Sequence, residues 1–97
     1  MGVVVLGDFN AHPENEFYAE LEQLCIQKDL IISDVMKLPD STFSHVNQGS
    51  LSRSWLDHCV SSPYLHRSIV DISIDNNYTG SDHFPLYVSF KLGNLPK

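Results

Sequence analysis

The stretch that decides the fold is Val3–Asn10, VVVLGDFN, which runs from apolar residues directly into a glycine, a carboxylate and an amide. Its first half, Val3–Leu6, is apolar and β-branched without alternation, which is typical of a central strand covered on both faces. A rigid, buried strand fixes the position of the residues that follow it, and Gly7 allows close backbone approach. We therefore predict a core strand that delivers Asp8 and Asn10 to the rim of a site.

The next segment predicts one amphipathic helix. From Asn15 to Lys28 the apolar residues Phe17, Leu21, Leu24 and Cys25 recur at helical spacing. Pro13, Glu14 and Glu16 favour the N-terminal end of this helix, and Lys28 favours its C-terminal end.

Most of the remaining chain predicts short strands. Leu30–Ile32 predicts a strand or turn, and Thr42–Ser44 predicts another short strand. Ser54–Val60 alternates, with Trp55, Asp57 and Cys59 on one face and Leu56, His58 and Val60 on the other. Two further alternating sets flank the turn-like segment Asn76–Gly80, and we expect their strands to pair. These sets are Val70, Ile72 and Ile74, then Leu86, Val88, Phe90 and Leu92.

Length and charge restrict the classes of function. The 97 residues, 42% of them hydrophobic, suit one small α/β domain or part of a larger one. A formal charge of -6 argues against binding nucleic acid through a broad basic surface, so a polyanionic partner would need a cation. With two cysteines and no long apolar run or leader, we expect an intracellular protein, nuclear or cytoplasmic, without a membrane partner.

Three polar motifs occur at the ends of predicted strands: GDFN at 7–10, SWLDH at 54–58 and GSDHFP at 80–85. Taken singly, each has an ordinary structural explanation, because aspartate, asparagine, glycine and serine are common turn residues. Taken together, they supply carboxylates, an amide and an imidazole. That combination suits hydrolysis of a phosphodiester with a hard divalent cation.

These motifs, in this order, resemble the C-terminal half of the endonuclease/exonuclease/phosphatase superfamily. GDFNAHP together with SWLDHC and SDHFPL is most similar to the endonuclease domain of non-LTR (LINE-type) retrotransposons, which nicks target DNA. The resemblance implies that residues 1–97 are a single partial domain. Its fold would be half of a deoxyribonuclease I-like, two-sheet α/β sandwich, with a mixed or mainly antiparallel sheet and one clear helix.

The resemblance also implies roles for five residues. Asp8 would position or deprotonate the attacking water and help to bind the metal, and Asn10 would hold that water or a phosphate oxygen. Asp82 would lie at or next to the metal, which would be Mg2+, with Mn2+ as an alternative. His83 would hydrogen-bond the scissile phosphate of a DNA substrate and be oriented by Asp57.

One further residue departs from the family pattern, and three others would assist the site without belonging to the core motifs. His58 replaces a common aromatic residue, and its alternation away from Asp57 predicts a packing role. Ser54 and Ser81 would support the site as hydrogen-bond donors, and Arg53 would reach a phosphate.

The glutamate that binds metal in the family belongs to an N-terminal half, and no glutamate here has a matching context. The four glutamates Glu14, Glu16, Glu20 and Glu22 predict a solvated helix face. We therefore expect the chain alone to be weak or inactive, and to self-associate or bind a missing half.

Two other functions are alternatives, whereas the sequence does not favour a zinc site. The chain could be a degenerate, non-catalytic half-domain that acts as a binding module, or a phosphatase or sphingomyelinase of the same superfamily. The cysteines and histidines lack the close spacing of a zinc site, so we predict buried thiols and surface imidazoles. The residues concerned are Cys25, Cys59, His45, His58 and His66.

Overall fold

The computed structural model describes residues 2–91, which form a mixed α/β structure with three helices and antiparallel sheets. The elements are β1 (Val4–Asp8), α1 (Glu16–Lys28), β2 (Ile31–Ile32), α2 (Ser33–Lys37), β3 (His45–Val46), β4 (Arg53–Ser54), β5 (Asp57–Ser61), α3 (Pro63–Arg67), β6 (Ile69–Ile74) and β7 (Leu86–Phe90). The α/β class is confirmed, but the expectation of one helix is wrong. Helices α2 and α3 span five residues each, which is too short for a helical period to show in the sequence.

The strands form three antiparallel groups. Strand β5 is the centre of a three-stranded sheet with the order β1-β5-β2, while β3 pairs with β4 and β6 with β7. Of the strand or turn predicted at Leu30–Ile32, the structure has the strand, over Ile31–Ile32, and the predicted pairing of the last two strands is confirmed. The strand predicted at Thr42–Ser44 lies instead at His45–Val46, and Leu92 lies outside the described residues.

Two details of the β6–β7 pair differ from the alternation in the sequence. A register shift between Ile69 and Asp71 interrupts the predicted set at Val70, which is 63% exposed. Beyond this bulge Ile72 and Ile74 keep the expected half-buried face. A bulge inserts one extra residue and so reverses the face of every residue before it.

Helix α1 begins and ends close to the predicted residues. The side chain of Asn15 accepts a hydrogen bond from the backbone N–H of Tyr18 (2.8 Å), which caps the N-terminus. Asp29 ends the helix in the left-handed conformation (φ 56°). Among residues 2–91, no helix is long and apolar enough to cross a membrane.

Only one stripe of α1 is covered. Tyr18, Leu21 and Cys25 pack with Ile32 and Val60 in the hydrophobic core between the helix and the three-stranded sheet. Phe17 and Leu24 belong to the predicted apolar face, but they are exposed. The prediction is wrong for these two residues, because a sheet of three strands is too narrow to cover a wider face of the helix.

Strand β1 lies at the edge of its sheet and not in a covered centre, so the prediction of a core strand is wrong. Its residues Val4, Val5 and Leu6 are 39%, 48% and 50% exposed. In the described part of the chain β1 pairs with β5 alone, which leaves its other backbone edge without a partner strand. The described residues therefore leave a large part of the apolar side-chain surface of β1 exposed.

The strand predicted over Ser54–Val60 is two strands in different sheets. Strand β4 ends at Ser54, β5 begins at Asp57, and the backbone turns between them. At this break the N–H groups of Leu56 and Asp57 donate to the hydroxyl oxygen of Ser44 (2.9 and 3.0 Å). A side chain therefore supplies the acceptor that a neighbouring strand would otherwise provide.

The break also changes which side chains are neighbours. Trp55 is buried, and its ring lies 6.0 Å from the ring of His58, which the alternation placed on the opposite face. The shared face predicted for Trp55 and Asp57 is therefore not maintained. Alternation holds only within a continuous strand, and none runs from Trp55 to Asp57.

Ser44 is fully buried and connects three segments that are distant in sequence. Besides accepting the two N–H groups at the break, it donates its own N–H to the carbonyl of Ser54 (2.9 Å). Its carbonyl accepts the N–H of Phe84 (2.7 Å). Ser44 thus joins the start of β5 to the loop that precedes β7.

We expect Ser44→Ala to lower the free energy of unfolding by about 1–3 kcal/mol, because it leaves two partly buried N–H groups without their acceptor. Urea denaturation followed by circular dichroism measures this difference, and Ser41→Ala at an exposed position is the matched control. Equal stability of Ser44→Ala and the parent chain would show that the hydroxyl is not needed at the break.

A histidine and an aspartate lie together in the core. His58 Nδ1 is 2.7 Å from Asp34 Oδ2, and both side chains are 0% exposed. His58 Nε2 donates to the carbonyl of Ala11 (2.6 Å), and the N–H of Cys59 donates to Asp34 Oδ1 (2.8 Å). His58 packs inside the protein, as its alternation predicted, and is not a surface imidazole.

Both cysteines are buried free thiols, as predicted. Burial, with a smaller contribution from the charge of Asp34, raises the pKa of Cys59 to about 11. Cys59 is therefore a packing residue and not a reactive nucleophile.

Candidate active site

Two carboxylates meet where β1 ends and β5 begins. The antiparallel register places Asp8 opposite Asp57, and the N–H of Phe9 donates to the carbonyl of Leu56 (3.0 Å) directly beyond them. The Asp8 side chain is 50% exposed and the Asp57 side chain 15%. Strand pairing alone therefore brings together two acidic residues that are 49 positions apart in the sequence.

The segment before β7 brings His83 to the same place. His83 forms an isolated antiparallel bridge with His45 of β3, and the N–H of Val46 donates to the carbonyl of Asp82 (3.0 Å). The hydroxyl of Ser81 accepts the N–H of His83 (3.1 Å). Backbone contacts thus fix the histidine. Ser81 supports the site both as an acceptor from His83 and, as predicted, as a donor, since its hydroxyl lies 3.4 Å from Asp82 Oδ1.

The imidazole of His83 lies between the two carboxylates. Its Nδ1 is 2.8 Å from Asp57 Oδ2, so the predicted contact between these side chains is present. Its Nε2 is 3.7 Å from Asp8 Oδ2, which is too far for a hydrogen bond. Asp57 therefore orients the ring, and Nε2 remains available to a ligand.

The pKa of His83 is raised. The main cause is the hydrogen bond to Asp57, and the negative charges of Asp57, Asp8 and Asp82 add to it, while partial burial opposes them. The imidazolium form consequently persists to higher pH than it would in free histidine.

Asp8 is fixed by its own loop. Its Oδ1 accepts the backbone N–H of Asn10 (2.8 Å), an arrangement that leaves Oδ2 directed toward His83. Asn10 is exposed and adopts the left-handed region (φ 52°), which asparagine tolerates better than most residues. The two residues predicted after β1 therefore both lie on the rim of the site.

Asp82 faces His45 rather than the two strand-end carboxylates. His45 Nε2 is 3.3 Å from Asp82 Oδ2, and His45 Nδ1 is 3.1 Å from the hydroxyl of Ser54. Desolvation acts to raise the pKa of Asp82, but a backbone hydrogen bond and the charges of His45 and His83 outweigh it and lower the pKa. Ser54 thus supports the site through His45, which contacts Asp82.

Arg53, predicted to reach a phosphate, contacts an aromatic ring instead. Its guanidinium lies 4.4 Å from the centre of the Phe43 ring. In this position it is engaged in a cation–π contact and is not directed at the carboxylates.

A cleft of about 410 Å³ opens beside Asp57 and His83. It is lined by Leu6, Gly7, Asp57, Tyr78, His83, Phe84, Pro85 and Leu86. The side chains of Asp57 and His83 lie among mostly apolar lining residues, which is the usual composition of a small-molecule site.

The described residues provide two groups that could hold a metal ion. One consists of Asp8, Asp57 and His83, and the other of His45, Asp82 and His83, with ligand atoms within 4.8 Å of one another in each. The two metal ligands implied by the family resemblance, Asp8 and Asp82, fall in different groups that share His83. Within residues 2–91, the cysteines are part of neither group.

Three further residues with such contacts lie outside the three polar motifs of the sequence. Ser44 positions the N–H of Asp57, His45 contacts Asp82, and Asp34 binds His58. Each contact joins segments that are 13 to 37 positions apart, and none lies in a recognisable motif. Only contacts between distant segments identify them.

Comparison of the sequence with protein-family models and with curated proteins gave no match.

Proposed function

We propose that this chain carries the phosphate-binding half of a magnesium-dependent phosphodiesterase whose substrate is DNA. The fold would be the C-terminal half of the deoxyribonuclease I-like sandwich implied by the sequence motifs. The observation that supports the proposal best is the position of His83, held by Asp57 at 2.8 Å with Nε2 left for a ligand.

In the proposed reaction His83 stabilises negative charge on the phosphate. Its Nδ1–H donates to Asp57, which fixes the tautomer, and the raised pKa favours the charged ring. Nε2–H would then donate to a non-bridging phosphate oxygen, where charge develops in the transition state.

Asp8 would accept the proton of the attacking water through Oδ2, because Oδ1 is occupied by the N–H of Asn10. The exposed amide of Asn10 would hold that water or a phosphate oxygen. Asp8 Oδ2 and His83 Nε2 are 3.7 Å apart, so they do not hydrogen-bond to each other, and each is available to the water or the phosphate.

The donor set fits magnesium in kind but provides few ligands. Asp8 and Asp57 offer carboxylate oxygens, which Mg2+ prefers, but Asp57 also accepts from His83. A bound Mg2+ would polarise the phosphate and neutralise charge in a chain of net charge -6. We therefore propose weak magnesium binding and slow turnover.

Nicking of supercoiled plasmid DNA tests this function. We expect slow conversion to the relaxed form with Mg2+ or Mn2+, and none with EDTA. A preparation of His83→Ala serves as the matched control, because a contaminating nuclease would survive in it. Equal nicking by both preparations, or none by the parent chain, would contradict the proposed activity.

The exposure of β1 supports a second candidate function, a non-catalytic module that binds another protein chain. Val4, Val5 and Leu6 combine apolar side chains with a backbone edge that no strand of residues 2–91 covers. Such an edge can pair with a strand of another chain. We propose a second copy of this chain as its occupant in purified protein, with a separate half-domain as the alternative partner.

We expect the purified chain to be larger than a monomer in light scattering, and Val5→Lys to shift it toward the monomer. A lysine on an edge strand opposes strand addition through its charge. Ile26→Lys on α1, at a position 69% exposed, is a matched control that adds the same charge elsewhere. A monomeric parent chain, or equal effects of both lysines, would show that β1 does not drive association.

A further inference from the structure

His45, Asp82 and His83 form a cluster beside the proposed catalytic groups. One ligand atom from each lies within 4.8 Å of the others, and the rings of His45 and His83 have centroids 4.7 Å apart. We propose that this cluster is a binding site for a divalent ion of the zinc class, with a donor set that differs from the Asp8 and Asp57 carboxylates proposed for magnesium.

The donor atoms favour zinc over magnesium. Two imidazole nitrogens and one carboxylate oxygen suit Zn2+ and its neighbours in the first transition series, whereas Mg2+ prefers oxygen ligands and keeps its waters. The family resemblance implies only a magnesium-type ion, so a zinc-type site is an addition to the proposed function.

The spacing of two ligands already matches a metal centre. Zinc bonds of about 2.0–2.2 Å in tetrahedral geometry place neighbouring donor atoms about 3.3 Å apart. His45 Nε2 and Asp82 Oδ2 are 3.3 Å apart. A charge-assisted hydrogen bond between the same atoms would be shorter, at about 2.7–2.9 Å.

Both imidazoles are oriented through their other nitrogen. His45 Nδ1 is 3.1 Å from the hydroxyl of Ser54, and His83 Nδ1 is 2.8 Å from Asp57 Oδ2. Histidines that bind metal usually have such partners, which fix the tautomer and the ring and leave Nε2 for the ion.

The backbone holds the three ligands in register. His45 and His83 face each other in an antiparallel bridge, and the N–H of Val46 donates to the carbonyl of Asp82 (3.0 Å). Metal binding would therefore need only side-chain adjustment. Asp8, whose Oδ2 is 3.7 Å from His83 Nε2, or a water molecule would complete the coordination.

An ion in this cluster would occupy Nε2 of His83, the atom proposed to bind phosphate. Zinc is therefore expected to inhibit nicking in the presence of magnesium. This consequence rests on the proposed function, whereas the binding site itself does not.

Titration with Co2+ tests the site without DNA. We expect the visible absorption of Co2+ in a low-symmetry protein site, abolished by Zn2+ and retained in a large excess of Mg2+. His45→Ala and Asp82→Ala should each weaken Co2+ and Zn2+ binding by about 100-fold or more, and Ser54→Ala by about 10-fold, as loss of a ligand-orienting partner does.

Two variants are matched controls. His66→Gln removes a histidine that belongs to neither metal group, and Ser50→Ala removes an exposed serine, so both should bind Co2+ as the parent chain does. Circular dichroism confirms that each variant is folded. Absence of binding, binding that survives both His45→Ala and Asp82→Ala, or an intense near-ultraviolet cobalt–thiolate band would overturn the proposal. Because binding is read directly, an inactive nuclease would not affect the result.

Discussion

Replacing His83 with alanine is expected to reduce magnesium-dependent nicking by about 100-fold or more, which is the usual cost of losing a preorganised donor to the transition state. His83 is oriented through Nδ1, and its Nε2 is not hydrogen-bonded to Asp8. Its loss would remove both the positive charge and the hydrogen bond offered to the phosphate. The rate is measured from the first-order conversion of supercoiled plasmid at saturating enzyme.

Asp57 and His83 are expected to act as a unit. Asp57→Ala alone should lower the rate, because the ring loses the acceptor that fixes its tautomer and raises its pKa. Once His83 is alanine, Asp57→Ala should have little further effect on the rate. If the reductions in rate caused by Asp57→Ala and His83→Ala multiplied in the double variant, Asp57 would act on the reaction independently of His83.

His66→Gln provides the control for the loss of a histidine. His66 lies on α3, where its Nδ1 is 2.8 Å from the hydroxyl of Ser33, and it belongs to neither metal group. We expect its nicking rate to equal that of the parent chain. A loss comparable to that of His83→Ala would indicate a general effect on folding.

Replacing Asp34 with alanine is expected to cost about 3–5 kcal/mol of unfolding free energy, the range for breaking a buried ion pair by removing one partner. His58 would keep the hydrogen bond that its Nε2 donates to the carbonyl of Ala11, but it would lose the carboxylate 2.7 Å from its Nδ1. The N–H of Cys59 would lose its acceptor. Because a domain is stable by only about 5–15 kcal/mol, this loss would remove a large share of the free energy of unfolding.

Urea denaturation measures this loss, and Asp40→Ala at an exposed position is the matched control. Asp40→Ala should change the free energy of unfolding by no more than about 0.5 kcal/mol. If the two variants were equally stable, the buried pair would not contribute to the fold.

The same pair predicts how stability depends on pH. Burial acts to lower the pKa of His58, but the hydrogen bond and charge of Asp34 outweigh it and raise the pKa above its unfolded value of about 6.5. The folded state therefore binds this proton more tightly. The resulting stability is fully present below about pH 6.5 and is lost as pH rises through the folded-state pKa.

Comparison with Asp34→Ala isolates this effect, because His83 also has a raised pKa and contributes in the same direction. The parent chain should lose more unfolding free energy than Asp34→Ala between about pH 6 and pH 9. Parallel pH profiles for the two proteins would show that the Asp34–His58 pair does not carry the dependence.

Local features of the sequence determined several parts of this protein. Helix α1 follows from apolar periodicity, from Asn15 at its start and from Lys28 in its last turn, all of which act within a few residues. The pairing of β6 with β7 was predictable because one turn-like segment separates two alternating sets. The chemistry available to the site was also determined, since the three polar motifs contain the carboxylates, amide and imidazole.

The tertiary structure alone decided what covers each element. Val3–Leu6 has the composition of a central strand, yet β1 is an exposed edge, because a strand's sequence does not state how many neighbours the rest of the chain provides. Likewise, the alternation of Ser54–Val60 is continuous in sequence but broken in space. The break exists because Ser44, twelve residues before Leu56, supplies its hydrogen-bond acceptor.

The same distinction applies to the candidate site. The motifs identified Asp8, Asp57 and His83, but their distances depend on the register of β1 with β5 and on the bridge between His45 and His83. His45 and Asp34 occur in no motif, and they became neighbours of Asp82 and His58 only through long-range pairing. Side-chain type and local period are properties of the sequence, whereas burial and charge pairing depend on contacts between distant segments.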